Sequence, residues 1–256
     1  DDKKILQNIE NFIADIWHLK FQVGHSVRSV DDCIIAINED IATFTSVLDC
    51  RIILGDRLLY ESMLRNIESK SIWSKKNFLS AKKLEQKKRY RKYSNTAYLL
   101  EPDIKEGPGG FRDLQTLIWI AKKNFKTNSL FDLHSINIIT KKEYLALLRS
   151  ERFLSKTRFL LHSLNNKPEE RLYFNSQKKL AELFGHNCKT NLGVEKFMQN
   201  FYKHITNIKQ LNEILIKYIE STENSYLKEN SMLIREKFYI RNNSISVKDK
   251  NVFIEN

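Results

Sequence analysis

The chain has 256 residues, 41% of them hydrophobic, and a formal net charge of +12 at pH 7, and a chain of this length can bury the core of one large or two small domains. Its apolar runs are shorter than the roughly 20 residues that cross a bilayer, its first residues lack the apolar stretch of a secretion signal, and its three cysteines have neither disulfide nor metal-ligand spacing, so we expect a cytoplasmic protein without a membrane partner. The positive charge would suit nucleic acid, but Lys, Asn and Ile are abundant together, as in an A/T-rich genome, and we favour coding bias over a nucleic-acid surface.

Helical spacing of apolar residues dominates the sequence and predicts a mainly α protein. A stripe from Ile5 to Ile16 predicts the first helix, and the alternation from Leu19 to Val23 predicts a half-buried strand. Three further helices are predicted from residues that can cap a helix N-terminus: Ser29 or Asp31 (helix through Ile37), Asp40 (helix to near Gly55) and Asp56.

The second half of the chain continues this pattern. The basic stretch Lys75 to Lys92 predicts a helix with a solvated charged face, and the segment Glu101 to Gly110 interrupts the helical spacing. Four helices and their signals follow: Gly110 to Phe125, a helix of about 25 residues capped by Thr140 and ending before Pro168, Ser176 to Phe184 closed by Gly185, and Val194 to Ser221. Residues 222–230 indicate a linker, and the tail predicts a β-hairpin with strands 238–241 and 244–247 around an Asn-Asn turn.

Glycine and proline concentrate in the segment 101–110. The chain has seven glycines and three prolines, and half of these ten residues lie here: Pro102, Gly107, Pro108, Gly109 and Gly110. Glycine lets backbone N–H groups approach a ligand, and the helix that follows would direct its positive N-terminal end to the same place. The segment therefore predicts a phosphate site, with an ordinary Pro/Gly turn and helix cap as the alternative.

Charged side chains flank these glycines. Arg112 offers a planar donor for two phosphate oxygens, and Lys105 offers a point charge. Asp103, Glu106 and Asp113 could bind Mg²⁺ or orient the cationic side chains. Because an acid in the first helical turn repels a phosphate, we assign Asp113 to holding Arg112, Lys105 or a metal.

Two blocks of sequence resemble one family. The run Glu101-Pro-Asp-Ile-Lys, followed by Pro108-Gly-Gly-Phe-Arg-Asp-Leu-Gln, is similar to the signature that follows the nucleotidyltransferase domain of bacterial PII uridylyltransferases. Val23-Gly-His-Ser-Val-Arg28, then Asp31-Asp32-Cys33 and Arg51 to Asp56, resemble the same family in residue type, order and spacing. The resemblance covers nearly the whole chain, including its tail.

The resemblance implies a domain order and a reaction. Residues 1–70 would be the end of an α/β nucleotidyltransferase domain, residues 71–222 a helical bundle, and residues 223–256 a linker and β-hairpin leading to a further domain. The family transfers UMP from UTP to a tyrosine of the regulatory protein PII, with two Mg²⁺ ions held by an Asp-x-Asp pair. That pair and the glycine turn that holds the triphosphate are expected before Asp1, so we expect the chain alone to be inactive. The family's uridylyl-removing and glutamine-sensing domains are also expected elsewhere.

The implied site has nucleotide-binding and supporting residues but no catalytic or metal-binding residue in this chain. The predicted nucleotide-binding residues are His25, Ser26, Arg28, Lys105, Gly109, Gly110 and Arg112, and Asp103 and Asp113 are the supporting acids. Gln22 stands at the position of an expected third carboxylate, and His18 where an acid is expected.

These two departures keep a second hypothesis open, a degenerate scaffold that binds PII or a nucleotide without transfer. A third, a basic nucleic-acid-binding helical protein, is favoured by charge alone. The stretch Lys82 to Lys92 is interpreted as solvated; the alternative is that it lines the nucleotide cleft, with Tyr90 or Tyr93 stacked on a base, or receives an acidic surface of PII.

Overall fold

The computed structural model describes residues 2–19, 23–69, 72–224, 232–233, 238–241 and 244–247. The chain divides into two compact units, Asp1–Ile72 and Trp73–Asn256. Helices dominate the described ranges, which confirms the mainly α fold class. No helix in these ranges is long and apolar enough to cross a membrane.

The described part of the first unit contains four helices: α1 (Asp2–His18), α2 (Val30–Glu39), α3 (Ile41–Leu48) and α4 (Arg57–Ser69). Two caps are confirmed, since the side chain of Ser29 accepts the Asp32 N–H at α2 and that of Asp40 accepts two N–H groups at α3. The predicted end of α3 near Gly55 is wrong. The helix ends at Leu48. The N–H of Cys50 then donates to the carbonyl of Val47, three residues earlier, which is the hydrogen-bond spacing of a 3₁₀ turn.

The strand predicted from Leu19 to Val23 falls largely on residues 20–22, which lie outside the described residues together with Gln22. Leu19 lies in a turn after α1. Residues 23–29 are described and have no regular secondary structure. The strand therefore stays a prediction.

The described part of the second unit contains six helices: α5 (Lys75–Arg91), α6 (Phe111–Phe125), α7 (Leu130–Ser135), α8 (Lys141–Asn165), α9 (Phe174–Leu183) and α10 (Leu192–Asn224). Helix α10 packs against α6, α8 and α9, and α5 packs against α6. Phe197, Phe201 and Ile208 of α10 are fully buried, as are Leu147 of α8 and Leu180 of α9. The core of this unit thus surrounds α10.

Most helix ends in the second unit agree with the sequence. Helix α8 has 25 residues and the predicted Thr140 cap, which Glu143 completes by accepting the Thr140 backbone N–H. Helix α9 begins at Phe174, two residues before the prediction, and Gly185 follows it at φ +85°. Helix α7 was not predicted, and α10 continues through Asn224 into the predicted linker, whose residues 225–230 lie outside the described ones.

Three short strands lie in the tail: β1 (Met232–Leu233), β2 (Phe238–Arg241) and β3 (Ser244–Val247). They pair antiparallel in the order β1-β2-β3, with Phe238 opposite Val247 and Arg241 opposite Ser244. The two predicted hairpin strands are present. The predicted Asn242-Asn243 turn lies outside the described residues.

Candidate functional site

The segment 101–110 folds as successive turns between α5 and α6 and is fastened along its length. The Ile104 N–H donates to the carbonyl of Glu170 (2.8 Å), and the Leu172 N–H donates to the carbonyl of Pro102 (2.8 Å). These bonds tie the segment, here called the signature loop, to the stretch that precedes α9.

The first turn of α6 is bonded to the signature loop itself. Three consecutive N–H groups reach loop carbonyls: Phe111 to Ile104 (3.0 Å), Arg112 to Lys105 (2.9 Å) and Asp113 to Gly110 (3.0 Å). Unpaired amides are what makes a helix N-terminus attractive to anions, and here the loop satisfies them. A phosphate at this helix end would have to displace one of these bonds.

The two predicted phosphate-binding glycines are buried and closely packed. Gly109 has φ +83°, and a Cβ added there would lie 2.0 Å from the carbonyl oxygen of Ile205 in α10. Its N–H donates to Oδ2 of Asp113 (2.6 Å), and the N–H of Gly110 donates to the carbonyl of Gly107 (2.9 Å). In this structure both glycines shape the loop, and both amides already have acceptors within the chain.

Asp113 is the centre of a buried hydrogen-bond network. Its side chain is fully buried, and the carboxylate accepts bonds from Arg89 Nη2, the Tyr90 hydroxyl, Gln86 Nε2 (3.1 Å) and the Gly109 N–H. We predicted that Asp113 would hold Arg112, Lys105 or a metal; the structure pairs it with Arg89 instead. The reason is geometric, since Asp113 lies four residues before the buried Leu117 and therefore on the inward face of α6.

Two tyrosines complete this side of the loop. Burial and the adjacent Asp113 carboxylate raise the pKa of Tyr90. Burial, followed by the Asp103 carboxylate, raises the pKa of Tyr93 to about 12, and the Tyr93 hydroxyl donates to Asp103 Oδ2 (3.1 Å). The other oxygen of Asp103 accepts the N–H groups of Lys105 (2.9 Å) and Glu106 (2.6 Å). Asp103 thus organises the loop backbone, and both tyrosines act as protonated donors.

Arg112 points to the more open side of the loop. Its side chain is 27% exposed and bonds to Glu106 Oε1 through Nη2 (3.1 Å) and Nε (3.3 Å), and to Gln115 Oε1 through Nη1 (2.9 Å). The guanidinium carbon lies 5.7 Å from the centre of the Trp119 ring. Lys105 is half-buried on the same loop. Arg112 is therefore held by side chains at the protein surface, unlike its neighbour Asp113.

The solvated interpretation of the basic helix α5 is wrong for Lys82 and Arg89, which are both buried. Lys82 donates to Glu85 (2.6 Å) and lies 4.4 Å above the Trp119 ring, and burial lowers the pKa of Lys82. Lys82, Gln86 and Arg89 are spaced i, i+4 and i+7 and share one face of α5, a signal the sequence contains. Residues 87, 88, 91 and 92 are exposed as predicted.

The remaining predicted residues belong to the first unit. His25, Ser26 and Arg28 are exposed, and the His25 ring lies 5.4 Å from that of Trp17 in an edge arrangement.

The described ranges contain no group of three His, Cys, Asp or Glu residues that could hold a metal ion. The carboxylates of Asp103 and Asp113 are both engaged in internal hydrogen bonds. The sequence did not identify three partners of Asp113, namely Gln86, Arg89 and Asn212. The Nδ2 of Asn212 donates to the backbone carbonyl of Asp113 (2.9 Å).

Comparisons with known proteins agree on one family. The profile of the family described as GlnD PII-uridylyltransferase matches residues 77–216, a range that contains the complete Asp113 network. Curated proteins named bifunctional uridylyltransferase/uridylyl-removing enzyme are similar to the chain. They include those of Hydrogenovibrio crunogenus (37% identity over 97% of this chain), Legionella pneumophila strain Corby (36% over 98%) and Nitrosococcus oceani (38% over 97%).

The chain spans less than a third of these relatives, 28%, 29% and 28% of their respective lengths. The matched profile nevertheless covers more than half of the chain and includes most of α5, the signature loop and the whole of α6, α7, α8 and α9. The chain belongs to the GlnD PII-uridylyltransferase family.

Proposed function

We propose that this chain is part of a cytoplasmic enzyme that transfers UMP from UTP to a tyrosine of the regulatory protein PII, and that its helical unit supplies phosphate contacts. Family membership supports the reaction class. The observation that carries the proposal is the position of Arg112, a partly exposed guanidinium in the first turn of α6, next to the signature loop that a buried network holds in place.

In this proposal the side chains, rather than the glycine amides, meet the nucleotide. The guanidinium of Arg112 matches two phosphate oxygens at once, and Lys105 adds a second positive charge from the adjoining signature loop. Fixed cations of this kind offset the negative charge that develops on the leaving pyrophosphate. Gly109, Gly110, Asp103 and Asp113 hold the loop that presents them. His25, Ser26 and Arg28 are retained as proposed nucleotide contacts of the first unit.

Mg²⁺ would activate the attacking tyrosine hydroxyl in such a transfer. Because no cluster among the described residues suits the metal, we propose that its ligands in the parent enzyme lie outside them. The 256-residue chain is then expected to transfer no UMP when incubated with PII, UTP and Mg²⁺. Radiolabelled UMP on PII after incubation with the purified chain would overturn this point, and the full-length parent assayed in parallel serves as the positive control.

The reaction itself is tested with the full-length parent. Transfer of label from UTP to PII is the expected result, with a strong loss of transfer in Arg112→Ala. A parent that binds UTP and PII but transfers no label would instead support the degenerate scaffold.

One observation favours that second candidate. Gln22 replaces the carboxylate that the family resemblance leads us to expect, and a neutral amide is a poorer Mg²⁺ ligand than a carboxylate. Gln22→Glu in the parent is expected to raise the transfer rate if the position faces the metal. An unchanged rate would make the residue structural.

A further inference from the structure

Glu106 lies between two arginines. Its Oε1 accepts bonds from Nη2 (3.1 Å) and Nε (3.3 Å) of Arg112, and its Oε2 lies 3.8 Å from Nε of Arg89. Its backbone carbonyl accepts a bond from Arg89 Nη1 (2.7 Å). One carboxylate thus faces both guanidinium groups but is within hydrogen-bonding distance of only one of them.

Arg89 keeps an unsatisfied donor that points to this carboxylate. Its side chain is only 9% exposed, Nη1 and Nη2 are bonded to Glu106 and Asp113, and Nε is buried without a hydrogen-bond partner among the described residues. A distance of 3.8 Å is too long for a hydrogen bond. Since a buried donor of a charged group is costly to leave unpaired, an acceptor that reaches Nε would be favoured.

Without the carboxylate of Glu106, positive charge would exceed negative charge around Arg89 and Arg112. Arg89 is paired with the buried Asp113, and Lys82 is paired with Glu85. Burial is the main cause that lowers the pKa of Lys82, and the nearby positive charges of Arg112 and then Arg89 lower it further. Without the Glu106 carboxylate, Arg112 would have no anionic partner among the described residues. Glu106 itself is 33% exposed and can therefore rotate towards solvent.

We propose that Arg89 and Arg112 form a binding site for a phosphate oxyanion, and that the carboxylate of Glu106 occupies this site as an internal competitor. A carboxylate places two oxygens in one plane and here reaches only Arg112. A tetrahedral phosphate group presents three oxygens and can bond to both guanidinium groups at once. The proposal rests on the proposed function for the role of Arg112 and adds to it Arg89 and the displaced carboxylate.

The test is titration calorimetry of the 256-residue chain with inorganic pyrophosphate in the absence of Mg²⁺. Glu106→Gln keeps the size of the side chain but removes the competing charge, and it should bind pyrophosphate about fivefold more tightly, the factor that corresponds to a partly exposed ion pair. Glu182→Gln, on the exposed face of α9, changes the net charge equally and should give a much smaller change. Arg112→Gln should bind more weakly than the wild type.

The two arms of the experiment separate the two proposals. Binding by Glu106→Gln that is unchanged or weaker overturns the competitor role, whatever Arg112→Gln does. Undiminished binding by Arg112→Gln removes the phosphate contact on which the proposed function depends. If circular dichroism shows that Glu106→Gln has lost helix, Glu106→Ala is titrated in its place with the same expected direction.

Discussion

Asp113 and Arg112 are adjacent residues on the same helix, yet they lie in opposite environments. Asp113 is fully buried and bonded to α5 and to the Gly109 amide, whereas Arg112 is 27% exposed and bonded to Glu106 and Gln115. One step along an α-helix turns a side chain by about 100°, which accounts for the division. The difference shows that two neighbouring residues of one sequence motif can have different roles. Asp113 stabilises the fold of the signature loop, whereas Arg112 presents a charged group at the surface.

The largest effect is expected on the buried side, at Gly109. Gly109→Ala would place a Cβ against the backbone carbonyl of Ile205 and strain a residue at φ +83°. We expect a loss of about 2–6 kcal/mol in the free energy of unfolding, as backbone strain and overpacking, each about 1–3 kcal/mol, add. Gly185→Ala is the matched control, because Gly185 has φ +85° and no atom within 4 Å of the added Cβ. Equal losses in urea denaturation of the two variants would show that contact with α10 is unimportant.

Asp113 should come next. Asp113→Asn removes the nearest counter-charge of the buried Arg89, and removal of one partner of a buried pair costs about 3–5 kcal/mol. Denaturant unfolding measures the loss. Arg89→Met combined with Asp113→Asn should recover part of it, since the double variant no longer buries an unpaired charge. Simple addition of the two losses would argue against a coupled pair.

Arg112 tests the exposed side. In the full-length parent, Arg112→Lys should lower kcat/KM for UTP, because lysine cannot offer two parallel donors. The expected decrease corresponds to a loss of about 1–3 kcal/mol in transition-state stabilisation. The melting temperature should change little. Arg91→Lys, at an exposed position of α5, is the control. A lower melting temperature with an unchanged kcat/KM for UTP would show that Arg112 stabilises the fold and does not contact UTP.

The smallest effect concerns a partly buried polar contact far from the loop in sequence. His204 Nδ1 lies 3.0 Å from the Ser150 hydroxyl, and burial, then the charges of Lys203 and Arg149, lower the pKa of His204 below its ordinary value of 6.5. The folded state therefore favours the neutral ring, and its stability is full above pH 6.5 and declines as the pH falls below it. His204→Gln should weaken this decline between pH 7.5 and 5.5 in urea melts. An identical decline in the variant would assign the pH dependence to other groups.

Local signals explain why much of the fold followed from the sequence. Ser29, Asp40 and Thr140 cap the helices they were expected to cap, because a capping side chain and its N–H partner lie within three residues of each other. The end of α3 was missed because Ile52 to Leu54 continue an apolar pattern but are exposed, with Leu54 at 95%. Apolar spacing alone does not report burial.

The candidate site was less predictable because its decisive contacts join distant parts of the chain. Gly109 meets Ile205, and Asp113 meets Arg89 and Asn212; no local pattern names such partners. The sequence did single out the loop through its glycines, but the close approach that requires Gly109 is to a helix rather than to a ligand. The i, i+4, i+7 spacing on α5 would have identified the inward face of that helix, although not what it contacts.

The packing of the signature loop has a consequence at the level of the gene. Glycine and proline codons begin with two G or two C bases, which an A/T-rich coding bias tends to remove, and the chain keeps only seven glycines and three prolines. Half of them lie in the signature loop. A Cβ added at Gly109 would lie against a backbone carbonyl of α10, and one added at Gly107 or Gly110 would lie against backbone carbonyls of the loop itself. Mutational drift towards A and T is therefore expected to be opposed most strongly at codons 107, 109 and 110 of the loop, and at codon 193 outside it, where a Cβ would meet a backbone oxygen. Gly24, Gly55 and Gly185, which have open space around them, mark the codons where that opposition should be weaker.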